Sequence, residues 1–333
     1  MLENRCHSNI NFLECSFPRY IEVDSIKGIA IIGIVVTHMN FNNRFNVGTL
    51  EVVYNLQILF GWCVLAFFFC SGLLAKPLTS KITFAKFIKK RFLRLVVPCL
   101  VFSISYKFIL TVISWTGIFS CFFYFPEDFF GVARFIVEPV GPQFYFLYYL
   151  FIICTLIAIL ERLTSILFLF VMLTIMLPVA YKFIDTPTFL HGPDYALFPV
   201  YLFSYVIGYS LSNNNHINKF LIFSMLFISV IVTIFVGDSF VMSYIFVPFL
   251  LWFFFRKFSL ITNLVDKSKL GKYSAAIYVW HAPITLPFVS IVCVKVFGGG
   301  PVVIFPILVC TILACCIMHE IVGKFSVLRL WRF

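Results

Sequence analysis

Charge is what this 333-residue chain has least of. Asp and Glu number 14 and Lys and Arg 25, together 12% of the sequence, against 62% apolar residues. Soluble domains carry about 25% charged and about 45–50% apolar residues, and no single core of this length could hide the excess. A water-soluble globular protein is therefore excluded, and the surrounding medium is lipid. Glycine (16) and proline (15) are too few for a collagen-like or low-complexity chain. Strand-length segments of alternating polarity are missing, which excludes an outer-membrane barrel, and no repeat recurs at solenoid or propeller periods. Histidine is scarce too, at 6, and no His or carboxylate set stands at ligand spacing. Most of the 11 cysteines lie inside apolar runs, where a thiol is a small hydrophobe. No metal site and no redox motif is expected.

What is present is a succession of long apolar runs, at 26–41, 54–75, 93–115, 143–160, 165–183, 194–211, 217–236, 239–255, 274–296 and 301–322. About 20 apolar residues make one helical span, so the expected fold is all-α: a polytopic integral membrane helical bundle of about ten transmembrane helices. Residues 1–24 are polar and of mixed charge (Glu3, Arg5, Glu14, Arg19, Glu22, Asp24), unlike the basic start of a cleavable signal peptide. They are read as a retained cytoplasmic segment, followed by a membrane domain over 25–322 and a short cytoplasmic tail over 323–333. Basic residues set the orientation, because cytoplasmic loops carry the Lys/Arg excess. With the N-terminus inside, 20 of the 25 basic residues fall on the inner side, including seven from Lys76 to Arg94 and five from Arg256 to Lys272. Four fall outside and Lys107 lies within the third span, so both termini are expected to be cytoplasmic. The net charge of +11 thus becomes an inner-face excess, for which contact with anionic membrane lipid is one sufficient reason. No soluble basic domain is present to bind nucleic acid.

A few polar residues interrupt the apolar runs. In the first, IKGIAIIGIVVTHMN, Lys27 and His38 are eleven positions apart, which returns them to nearly one helix face with about 16 Å of rise between them. Asp24 precedes both, and Gly28 and Gly33 allow close helix approach. The bland alternative is a snorkelling lysine and a histidine satisfied between helices. The loop KPLTSKITFAKFIKKRFLRLVVP is the most basic stretch, with Phe84, Phe87, Ile88 and Phe92 at helical spacing, and reads as an interfacial amphipathic helix. Arg91 and Arg94, at i and i+3, are expected to project from one side, where guanidinium forks suit phosphate oxygens. In the ninth run, LGKYSAAIYVWHAPI places Ser274, Tyr278, Trp280 and His281 together, His281 near the inner leaflet by this topology. Pro283 follows, freeing a carbonyl and bending the helix.

In order along the chain, DSIKGIAIIGIVVTH, GWCVLAFFFCSGLLAKP with its Ser71-Gly72, FIKKRFLRLVVP, PQFYFLYYL and LGKYSAAIYVWHAPI resemble the acyltransferase family 3 membrane proteins. The resemblance spans about residues 20–290. Lys27 stands where that family has Arg, keeping the charge and losing the bidentate fork, and Phe144 or Tyr145 stands where Trp is common.

The resemblance implies an O-acyltransferase, by default an O-acetyltransferase, in the bacterial inner (cytoplasmic) membrane. It would take acetyl-CoA as co-substrate donor, with no metal, and a surface polysaccharide or its lipid-linked precursor as acceptor, such as O-antigen. Arg91, Arg94 and Lys27 would hold the CoA end. His38 would act as general base or carry the acyl group covalently, Asp24 would orient Lys27, and Ser71, Tyr278 or His281 would line the substrate path. A multi-span transporter or flippase of a glycan precursor is the alternative, although the matched halves with broken helices common in transporters are missing.

Overall fold

The computed structural model describes residues 20–39, 45–76, 83–115, 144–163, 198–213 and 239–324, helical almost throughout and without a strand among them. In chain order the helices are α1 (Ile21–Thr37), α2 (Val47–Leu59), α3 (Cys63–Leu73), α4 (Phe84–Arg91), α5 (Val97–Trp115), α6 (Tyr145–Leu163), α7 (Phe198–Asn213), α8 (Ser239–Lys257), α9 (Ser259–Lys267), α10 (Leu270–Trp280), α11 (Leu286–Phe297) and α12 (Ile304–Lys324). Turns of π-helix at Phe92–Val96 and His281–Thr285 join α4 to α5 and α10 to α11.

Four helical stretches are long and apolar enough to cross a bilayer: Val47–Leu73, Phe84–Ile113, Tyr145–Arg162 and Pro301–Lys324. A fifth arises if Tyr244–Lys257 and Ser259–Lys267, bent by 105°, form one span. The ten apolar runs exceed this number for local reasons. The first forms a 17-residue helix and the sixth a 16-residue helix, while the ninth is cut by its π turn into helices of 11 and 12 residues. The runs at 165–183 and 217–236 lie outside the described residues, as do most of the N-terminal segment and the tail beyond 324. Large apolar side chains point outward as well as inward, among them Phe108, Leu250, Phe305, Leu313 and Ile317. Helices apolar on all sides are stable where the solvent is hydrocarbon. One expectation changes here: the amphipathic stretch at 84–92 does not lie apart as a separate interfacial helix. It continues through the π turn into α5 as one helical stretch.

In lipid the hydrophobic effect does not drive helix against helix, so close backbone approach at small residues has to. Helices α3 and α7 show it. A Cβ at Gly72 would collide with the Tyr205 carbonyl, and one at Gly208 with the Phe69 carbonyl. Ser204 Oγ donates to Leu65 O at 2.9 Å and Ser212 Oγ to Ala75 O at 3.4 Å. The near-constant offset between partners means that the two helices run in the same direction. α1 lies at the centre, against α3 in the opposite direction, with Gly33 against Cys63 and Phe60 and the Cys70 thiol 3.9 Å from Val23 O. An aromatic cluster of Phe67, Phe68, Phe146, Tyr201 and Tyr278 fills the space between α3, α6, α7 and α10.

The small-residue contacts make a direct test. Gly72→Ala and Gly208→Ala are each expected to destabilise the protein by about 1–3 kcal/mol, the usual cost of overpacking, read as a lower melting temperature of the detergent-solubilised chain. Gly300→Ala, with nothing within 4 Å of its added carbon, is expected to melt with the parent.

Candidate functional site

The site is built where α1 and α10 run side by side. A Cβ on Gly271 would strike the Asp24 carbonyl, and one on Gly28 would stand 3.2 Å from the Gly271 amide nitrogen. Only glycine lets the two backbones come this close. From that contact both helices rise in the same direction, and ten residues farther on each presents a histidine: His38 from Gly28, His281 from Gly271. Equal rise per residue keeps the two in step. Their rings meet edge to face at 5.0 Å between centroids, with planes 74° apart.

Each ring is held in the same way. His38 closes α1, and its Nδ1 lies 2.7 Å from Ile34 O, four residues back. His281 Nδ1 lies 3.0 Å from Ile277 O, again four residues back. A carbonyl only accepts, so each Nδ1 carries a proton. His281 is fully buried and its Nε2 meets no hydrogen-bond partner among the described residues. The chain around them is braced. Gln57 Nε2 donates to Thr37 O at 2.9 Å, and Thr37 Oγ1 donates to Ile34 O at 2.9 Å. Ala282, between His281 and Pro283, is extended at φ −129°, ψ 151°, the conformation that a following proline imposes. The helix therefore stops at the histidine and resumes beyond it.

His281 thus departs from its expected place near the inner leaflet. It stands level with His38, about 15 Å of helix rise from the Gly28–Gly271 contact, because the ninth run enters its helix at Leu270 and spends eleven residues before the break. Tyr278 joins the pair, its ring 6.1 Å from His281 and 6.2 Å from Phe67.

The remaining candidates gather at the other end. Asp24 and Lys27 are half-buried on α1, both within electrostatic reach of the Cys70 thiol. Ser71 lies beside Cys70 and donates to Phe67 O at 2.7 Å, a bond within its own helix. Arg91 is half-buried with its guanidinium 5.4 Å from the centre of the Phe87 ring, and its charge reaches the hydrogen-bonded Cys154–Tyr205 pair. Tyr209, one turn on, donates to Glu161. Arg94 is exposed. The π turn that opens at Phe92 widens the step between the two arginines, so one faces the bundle and the other its surroundings. Among the described residues no group of three His, Cys, Asp or Glu is placed to hold a metal ion.

Two features of this layout escaped sequence reading. The pairing of His38 with His281 rests on a contact 243 residues apart in the chain, although the shared Gly-x9-His and Ile-x3-His spacings would have flagged it. Gln57 carried no signal at all.

The described residues thus form a helical membrane bundle with two imidazoles in contact at one level and basic side chains at another. The family model described as an acyltransferase domain, that of acyltransferase family 3, matches residues 20–320, and the chain belongs to that family of membrane acyltransferases. No curated protein and no solved structure matches it.

If the Gly28–Gly271 contact sets the histidine pair, Gly271→Val has to wedge α10 away from α1. Acyl transfer by the purified variant is expected to fall at least about tenfold, since misplacement by about 1 Å can cost a hundredfold. Binding of acyl-CoA, read by calorimetry, is expected to weaken with it, since the displaced contact lies at Asp24, one turn from Lys27.

Proposed function

We propose that the chain is a membrane O-acyltransferase, by default an O-acetyltransferase, of the bacterial cytoplasmic membrane. It moves an acyl group from cytoplasmic acyl-CoA to a hydroxyl of a surface polysaccharide or its lipid-linked precursor. The observation that carries this reading is the His38–His281 pair, edge to face with each Nδ1 at hydrogen-bond distance from a carbonyl four residues back, one long helical rise away from the end that bears Lys27 and Arg91.

An acyl-CoA has its phosphates at one end and its thioester at the other, so a protein that receives it from the cytoplasm needs cations at the entrance and a base deeper in. Lys27, Arg91 and Arg94 hold the phosphates at the cytoplasmic end, Arg91 as a guanidinium stacked on Phe87 and Arg94 from the exposed side. Asp24 orients Lys27. The pantetheine arm then reaches along α1 to the histidines, past Tyr278. His38 Nε2 takes the proton of the acceptor hydroxyl, the oxygen attacks the thioester carbonyl carbon, the carbon–sulfur bond breaks, and the departing thiolate recovers the proton from His38. Imidazole suits both halves of this exchange, its proton affinity lying near working pH. His281, edge to face with His38, fixes the ring and shields it from lipid. The basic distribution expected from sequence places the Lys27 end on the cytoplasmic side, which supports the same direction of travel.

His38→Ala is expected to lower transfer of radiolabelled acetyl from acetyl-CoA to purified surface polysaccharide by about 10²- to 10⁴-fold, the range for a lost general base, with full-length protein still in the membrane. Activity near the parental level would remove the base. A flippase in place of an enzyme would relocate the acceptor and leave it unlabelled. Arg91→Ala and Arg94→Ala are expected to weaken acetyl-CoA binding at low salt, each by about 1–3 kcal/mol as for a lost charge-assisted bond, and undiminished binding would reduce the pair to a topology signal.

A further inference from the structure

Between Arg256 and Lys272 the chain carries five basic residues and one acid, Asp266, and the transfer proposed above uses none of them. Arg256, Lys257, Lys267, Lys269 and Lys272 are all exposed. They bracket α9, which leaves α8 at a bend of 105°. Thr262 ties that bend on both sides. Its Oγ1 donates back to Phe255 O of α8 at 2.5 Å, and its carbonyl accepts from Ser25 Oγ of α1 at 3.3 Å. With nine residues, α9 is about 14 Å long, too short to cross hydrocarbon. It runs across the direction of α8, at the level of Ser25 and so at the Lys27 end of the bundle.

At about 100° per residue, α9 divides into three sectors. Leu260, Ile261 and Leu264 occupy one and are exposed, Leu260 at 79% and Leu264 at 64%. Thr262 and Val265 occupy the second and pack on the protein. Ser259, Asn263 and Asp266 make the third, which is polar. Water would leave the leucines uncovered, and hydrocarbon would leave the polar sector unsolvated. The boundary between the two media satisfies both. The flanking side chains carry the pattern of that boundary. Arg256 stands 5.2 Å from the centre of the Trp252 ring, Lys257 5.8 Å from that of Phe258 and Lys272 5.9 Å from that of Tyr273, cations beside aromatic rings where a span ends.

We infer that α9 lies in the membrane plane and docks on anionic phospholipid of the cytoplasmic leaflet, with Leu260, Ile261 and Leu264 among the acyl chains and Lys257, Lys267 and Lys269 at the headgroup phosphates. It takes the place of the in-plane helix expected at 84–92. Lys267, one turn beyond Leu264, ends the apolar sector with a charge. Because Thr262 holds Ser25, the docked helix also sets the depth of the N-terminal end of α1. The docking is independent of which group the histidines transfer.

The full-length chain in nanodiscs of phosphatidylcholine, alone or mixed with phosphatidylglycerol, tests this through hydrogen exchange of the α9 amides and through phosphatidylglycerol retained in native mass spectra. Parental α9 is expected to exchange more slowly in the mixed bilayer, and the protein to retain phosphatidylglycerol in preference to phosphatidylcholine. Lys257→Gln, Lys267→Gln and Lys269→Gln combined are expected to erase both differences, with affinity falling about fivefold per lysine, the equivalent of about 1 kcal/mol per basic residue at an anionic surface. Leu260→Gln with Leu264→Gln, which keeps helix propensity, is expected to speed α9 exchange in both bilayers, and parental exchange in that variant overturns the in-plane placement. Equal exchange of parental α9 in the two bilayers, or parental retention of phosphatidylglycerol by the folded triple variant, overturns the docking. Should the triple variant not fold, folded Lys267→Gln decides: weakened retention supports the site and unchanged retention overturns it. Free nucleotide phosphate is the competing source of the same chemistry. Acetyl-CoA binding by the triple variant in phosphatidylcholine is expected to stay near the parental value at physiological salt, where distant charges are screened, and its loss would assign the lysines to CoA and overturn the lipid site.

Discussion

The contact between Gly28 and Gly271 is the point from which the candidate site is measured. Two helices from opposite ends of the chain touch there backbone to backbone, and a single added carbon on Gly271 would meet the Asp24 carbonyl. Because both helices then rise in one direction at the same pitch, any side chains equally far from the contact arrive at the same depth. His38 and His281 are such a pair, each ten residues on. A bilayer provides no hydrophobic force between helices, so this alignment depends on small residues and on the few hydrogen bonds that cross between elements, such as Ser25 Oγ to Thr262 O at 3.3 Å.

Among the described residues, the polar groups around the candidate site sort into two layers about one half-span apart. One contains Asp24, Lys27, Arg91, Glu161 and Tyr209. The other contains His38, Gln57 and His281. Between them the interior is aromatic, built from Phe67, Phe68, Phe146, Tyr201 and Tyr278. A two-layer arrangement suits a substrate whose charged and reacting ends are separated by a flexible arm. The breaks in regular helix fall at the same two levels, the π turn at Phe92–Val96 beside the arginines and the one at His281–Thr285 beside the histidines. Such π turns often mark functional positions, and here each rotates a polar residue out of the ordinary helical register.

Much of the fold was legible in the residues. Excess apolar content with little charge demanded lipid, the length of the runs demanded helices, and Lys27, His38, Arg91 and Arg94 stood out because a bilayer tolerates few such side chains. Span boundaries were less legible. An apolar run does not reveal a π turn, so the ninth run, whose bend at Pro283 was legible, still read as one span although its first helix stops at His281. The opposed burial of Arg91 and Arg94 was hidden for the same reason, since i and i+3 share a side only while 3.6 residues make a turn.

Composition and spacing by themselves determined the medium, the helical class and the family, because each follows from local chemistry or from motifs read along the chain. Depth and partnership were decided by tertiary structure alone. That His281 faces His38 and that Gln57 braces Thr37 depend on how helices far apart in sequence are placed against one another. Within the described residues that placement is governed by where glycines allow backbones to touch, a property of pairs of helices and of no single segment.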